Sequence, residues 1–237
     1  MVSGKKPVYL LAGGRPRDPR ATGLLLQTVF NESAKAPPII AYVGTANGDN
    51  EDFFNRMTAM YMGAGAHRVD HALITPDSAD LKKARQVLES ADIIFISGGD
   101  VDRGMRVLRE KNMIDFLYTL YQEGKPFFGS SAGAIMLAKE WVRWRDPEDN
   151  KSAELFPCLG FAAVICDCHD EEGGWEELKA ALKLEEENVT GYGLVTGMAI
   201  KVFPDGRTEA VGGAIHQYVR RGKRVFRAPD ILPVSDV

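Results

Sequence analysis

This chain of 237 residues has only three cysteines, four histidines and three tryptophans, and it lacks any long run of apolar residues or of lysine and arginine. Each shortage closes off a class of protein. Three cysteines, an odd number clustered at Cys158, Cys166 and Cys168, do not make the disulfide framework of a small secreted scaffold. No stretch approaches the ~20 apolar residues of a membrane span. Residues 1–7 also lack the apolar segment of a signal peptide, so the sequence predicts a cytoplasmic protein. A net charge of −4, with the basic residues dispersed, leaves no electrostatic footprint for nucleic acid. The expected partner is a small substrate, with no nucleic acid and no membrane; association as a homodimer is left open.

What is present is an ordinary globular composition, 45% hydrophobic and 26% charged, in a chain long enough to bury a full core. Residues 1–237 read as a single α/β domain. Short β-rich runs alternate with amphipathic helices over the first two thirds, the pattern of a mostly parallel, doubly wound sheet flanked by helices. Strands are predicted at 8–11, 39–43, 72–75 and 93–96, and helices at 21–30, 51–62 and 78–88, with a helix pair or one long helix over 102–122. Beyond residue 185 the texture turns to glycine-punctuated alternation, which predicts strands at 198–203, 208–211 and 215–219 in a β-rich C-terminal segment.

The most informative residues are Gly129-Ser130-Ser131-Ala132-Gly133. They form a G-x-S-x-G pattern between a short apolar strand at 125–128 and an apolar helix opening at Ala132. A strand that turns sharply into a helix holds the central serine out over the sheet edge as a nucleophile. Glycine two residues to either side suits so cramped a turn. The amide of Ala132 would face an oxyanion formed on Ser131, and Gly99, just past the strand at 93–96, is the natural second donor. Gly98, Asp100 and Ser130 adjoin these groups and are the expected substrate-binding residues.

A serine hydroxyl needs a base. Among the histidines, His169 follows the apolar run 161–165 and should stand at a strand's carboxyl end, where open α/β sheets carry their sites. His67 and His71 flank the start of the strand predicted at 72–75, at the opposite end of the sheet, and His216 lies in the late β-rich segment. The acid that would orient the base lies among Asp146, Glu140, Glu148, Asp149 and Glu154, and the proline after Asp146 favours a turn that could aim its side chain back. Cys166-Asp167-Cys168-His169 also offers three metal-ligating side chains, but crowded into four residues they strain tetrahedral geometry. Structural cysteines are the preferred reading, and no metal and no cofactor are expected.

Ile96-Ser97-Gly98-Gly99-Asp100, the Ser131-Ala132-Gly133-Ala134 turn and the placement of His169 together resemble the family of serine peptidases that contains dipeptidase E (aspartyl dipeptidase) and cyanophycinase. That family is a variant of the class I glutamine amidotransferase-like fold with serine in place of cysteine. The resemblance extends over most of the chain. It implies a serine hydrolase acting on small peptides, with a triad of Ser131, Asp146 and His169 in that chain order. A binding or sensing member without turnover, or an amidase, is the alternative.

Two departures bear on specificity. His169 is followed by Asp170-Glu171-Glu172, and carboxylates beside the site disfavour an acidic substrate. After Gly191-Tyr192-Gly193 the chain reads Leu194-Val195-Thr196-Gly197, where relatives commonly carry acidic residues. The resemblance therefore implies the chemistry more firmly than the substrate.

Overall fold

The computed structural model describes residues 4–14, 19–146, 148–186 and 189–233. Its centre is a seven-stranded sheet made of β1 (Val8–Leu11), β2 (Ile39–Val43), β3 (Arg68–His71), β4 (Ile93–Ile96), β5 (Phe127–Ser130), β10 (Ala199–Val202) and β11 (Thr208–Val211). The spatial order is β11-β10-β1-β5-β4-β2-β3; β1 to β5 run parallel, and β10 and β11 are antiparallel to their neighbours.

Strands β1 and β4 are buried at every position, as expected where helices cover both faces. On one face α1 (Pro19–Phe30) and α2 (Glu51–Gly63) bring Leu26, Val29 and Tyr61 against Tyr42, Phe95 and Phe128. On the other, α3 (Leu81–Ser90), α4 (Val101–Glu110), α5 (Ile114–Gln122) and α6 (Ala132–Leu137) pack on Ile94, Ile96 and Phe127. Alternate side chains along each strand thus feed two separate cores.

A second sheet, ordered β13-β12-β9-β8, comprises β8 (Ile165–Cys168), β9 (Thr190–Leu194), β12 (Ile215–Arg221) and β13 (Arg224–Ile231). It carries α7 (Glu176–Leu184), whose Leu178 and Leu182 pack on Ile165. A separate hairpin pairs β6 (Glu140–Trp144) with β7 (Ala153–Pro157). Among the described residues no helix is long and apolar enough to cross a membrane.

The structure moves several predicted boundaries. The third strand is 68–71, in parallel register with β2 from Ile39↔Arg68 to Tyr42↔His71, and the predicted 72–75 is the loop that follows it. The reason is Asp49, whose Oδ2 accepts the Ile74 and Thr75 amides at 2.8 and 2.7 Å and so withdraws them from strand pairing. His71 therefore ends its strand instead of preceding it, and its Nε2 lies 3.1 Å from Asp49 Oδ1. Helix α3 starts at Leu81 because Asp80 caps it, accepting the Lys82 and Lys83 amides. The strand before His169 is 165–168, not 161–165.

Candidate active site

In the parallel registers Leu11 lies opposite Ser130 and Ile96 opposite Gly129, so β1, β5 and β4 end together and their connecting loops share one rim of the sheet. Ser131 stands on that rim, between β5 and α6, at φ 54° and ψ −125°. Its amide donates to Leu11 O at 2.9 Å, which fixes the turn to the neighbouring strand. The flanking glycines are required by close approach. A Cβ on Gly129 would collide with the carbonyl of Gly133, and one on Gly133 with that of Ile96.

His169 begins the loop after β8 at φ 46°, and its amide donates to Leu194 O at 2.9 Å. Its Nε2 lies 2.7 Å from Ser131 Oγ. With the ring proton on Nδ1, Nε2 accepts the serine hydroxyl. The two sheets are joined just beneath this contact by Cys168, whose Sγ lies 3.7 Å from Ser131 O and 3.9 Å from Leu11 O. Cys166 and Cys168 are both buried, and the described residues contain no group of three metal-ligating side chains.

The loop after β4 lies against the elbow. Gly99 adopts φ 146°, and a Cβ there would strike the Ala46 carbonyl. The loop is held by Asn47, which sequence reasoning missed: its Nδ2 donates to Gly98 O at 3.1 Å, Tyr42 Oη at 2.8 Å and Ser97 Oγ at 2.9 Å. Only its place, just past the end of β2, hinted at a role. Among the described residues no protein acceptor takes the Gly99 or Ala132 amide. Asp100 caps α4, accepting the Arg103 amide at 2.6 Å.

Two cavities meet at Ser131, Gly99 and His169. One, of about 660 Å³, is lined by Leu25, Leu26, Phe53, Met57, Met60 and Tyr61, together with Gly98, Ser130 and Arg56. The other, of about 570 Å³, is lined by Ala132, Trp141, Asp100 and four further carboxylates.

The structure does not bring Asp146 to His169. Asp146 is exposed at the end of the β6 hairpin strand, where its Oδ1 accepts the Glu148 amide at 3.0 Å and its main chain pairs with Ser152 Oγ. The competitors are occupied or remote as well: Glu140 and Glu154 form ion pairs with Lys139 and with Arg143 and Arg145, Asp149 accepts the Lys151 amide, and Glu148 is exposed and lines neither cavity. The reason is the turn that joins β6 to β7, whose own hydrogen bonds to Glu148 and Ser152 engage Asp146. Glu171, two residues after the base, is a carboxylate that feels its charge. Partial burial works against its ionisation, but bonds from Thr196 and then the charge of His169 hold its carboxyl below the usual range.

A serine and a histidine joined across a strand-to-helix elbow, with unpaired amides on the adjoining turns, is the geometry of α/β serine hydrolases. Residues 8–209 match the model of Peptidase family S51, and the chain belongs to that family. It is 33% identical over 129 residues to Peptidase E of Haemophilus influenzae, a match that covers 51% of this chain and 59% of that protein's length. With the uncharacterised peptidase YgaJ of Bacillus subtilis it shares 27% identity over 224 residues, 94% of this chain and 91% of that one. The crystal structure of a peptidase from an acI-B1 Actinobacterium has the same fold, with a TM-score of 0.71 at 18% identity over 98% of both chains.

Proposed function

We propose that this protein is a serine peptidase that cleaves small peptides through an acyl-enzyme on Ser131. The observation that carries this reading is the 2.7 Å contact between Ser131 Oγ and His169 Nε2. In the proposed cycle His169 takes the hydroxyl proton as Ser131 Oγ attacks the scissile carbonyl carbon, and the Gly99 and Ala132 amides hold the oxyanion. The imidazolium then protonates the leaving amine as the C–N bond breaks. Water, deprotonated by His169, attacks the ester, and the proton returns to Ser131 as the acid leaves. Glu171, whose ionised form His169 favours, would steady the imidazolium.

A peptide bond seated on Ser131 would extend into both cavities, and the larger one suits an apolar side chain. Three free thiols agree with a reducing, cytoplasmic setting. The test is twofold: labelling of the wild-type protein and of Ser131→Ala by a fluorophosphonate, and hydrolysis of a dipeptide library. Labelling and turnover confined to the wild type support the reading. An unlabelled wild-type serine, or turnover that survives in Ser131→Ala, ends it.

A further inference from the structure

Five carboxylates, Asp100, Asp167, Asp170, Glu176 and Glu177, line the smaller cavity beside Ser131, and no described Lys or Arg lines it. Four of them have local duties. Asp100 caps α4. Asp170 Oδ2 accepts the Trp175 and Glu176 amides at 2.8 and 3.2 Å, Glu176 pairs with Lys179 at 3.0 Å, and Glu177 Oε2 accepts Trp141 Nε1 at 2.8 Å.

Asp167 is different. It is only 7% exposed, on β8, where its neighbours Cys166 and Cys168 point into the central core and it points the other way, towards α7 and the cavity. Its Oδ1 accepts the Cys168 amide at 2.7 Å; its Oδ2 is buried with no hydrogen bond of ordinary geometry, and the Leu178 amide at the start of α7 favours its ionised form. A buried carboxylate oxygen without a well-formed hydrogen bond is costly in a folded protein, and Asp167 carries one on a residue that lines a cavity at a reactive serine.

We infer that this cavity is a cation subsite, in which Asp167 and Glu177 receive an ammonium group of the peptide on one side of the scissile bond. The inference rests on the peptidase reading and names the substrate class. Trp141 adds an aromatic wall beside the carboxylates, which favours a cation over a neutral polar group. Burial raises the Asp167 carboxyl to about 7, with the charges of Glu177 and Asp170 pushing the same way, so an arriving ammonium meets a group that gains from being ionised beside it. An aspartyl side chain in the same place would add a carboxylate to five others. The ammonium has two sources, a free peptide N-terminus or a lysine side chain.

Calorimetric titration of Ser131→Ala reads binding without turnover. The ligands are peptide pairs that differ only in the cation, free against acetylated N-terminus and lysine against norleucine. At least one cationic member should bind about 10- to 100-fold more tightly than its neutral partner, the worth of a charge-assisted hydrogen bond. The acetylation pair and the norleucine pair show which source it is. Adding Asp167→Asn should reduce that ratio towards one. Glu177→Gln keeps an acceptor for Trp141 Nε1, and should lower the ratio in a protein whose fold is retained if Asp167→Asn does not fold. Equal binding within both pairs, a preference for an aspartyl peptide, or an undiminished ratio in the folded variants overturns the inference. Fluorophosphonate labelling of the wild type tests the hydrolase reading separately, so a labelled serine with no charge preference removes the cation subsite alone.

Discussion

Ser131 and His169 meet at 2.7 Å although the backbone of each stands at positive φ, 54° and 46°. Side chains with a Cβ seldom adopt that region, and holding one there costs on the order of 1–3 kcal/mol. Both are kept by a single kind of restraint, an amide bonded to the end of an adjacent strand: Leu11 O for the serine, Leu194 O for the histidine. These two bonds anchor the residues whose side chains come within hydrogen-bond reach of each other.

Replacing the serine separates strain from chemistry. Ser131→Ala and Ser131→Gly should both lower turnover by about 10³-fold or more, since both remove the nucleophile. Ser131→Gly should nevertheless be more stable than Ser131→Ala by about 1 kcal/mol, because only glycine is unstrained at this φ and ψ. Denaturant midpoints of the two variants give the comparison, and an alanine variant as stable as the glycine one would show that the elbow stores no strain.

Gly133→Ala has no such relief. Its methyl group would run into the Ile96 carbonyl, a backbone atom in the most buried strand of the sheet. Neither α6 nor β4 can yield without loosening the rim that carries Ser131, so a destabilisation of about 3 kcal/mol or more is expected. Urea unfolding measures it; a loss under 1 kcal/mol would mean that the elbow is free to relax.

Much of this arrangement is legible in the sequence, and the parts that are not have a common cause. The alternation of apolar strands with helices, the elbow at 129–133 and the position of His169 are local patterns, and local patterns survive folding. The sequence points to a strand at 72–75 because that stretch is as apolar as one; Ala72 and Ile74 are indeed fully buried, but a carboxylate more than twenty residues earlier takes the amides that a strand would pair. The role expected of Asp146 failed for the converse reason. Spacing cannot reveal that 140–157 folds as a hairpin whose turn engages Asp146 with Glu148 and Ser152. The acidic cavity draws on loops and elements scattered between Gly99 and Glu177, so no single segment announces it.

The carboxylate beside the base can be settled by a pair of substitutions. Glu171→Gln should lower kcat by about 10- to 100-fold with little change in KM, because it removes the charge that favours the imidazolium formed during the reaction. Asp146→Asn, at an exposed hairpin end, should leave both within about twofold. A kcat loss in Asp146→Asn with none in Glu171→Gln would return the role to Asp146.

Asp167 makes stability depend on pH in the opposite sense to an ordinary salt-bridged carboxylate. Its carboxyl is raised to about 7 in the native state, by burial first and then by Glu177 and Asp170, against about 3.9 in the unfolded chain. Between those values the native protein keeps a proton that the unfolded chain has lost, so unfolding releases it and stability falls as pH rises from about 4 to about 7. The span corresponds to no more than about 4 kcal/mol. Asp167→Asn lacks the titration, so the difference in unfolding free energy between variant and wild type should shift in favour of the variant from pH 5 to pH 8. A bound ammonium group reverses the sign locally, because it stabilises the ionised carboxylate. A cationic peptide should therefore raise the melting temperature of Ser131→Ala more at pH 8 than at pH 5, and an equal rise at both would show that the peptide does not reach Asp167.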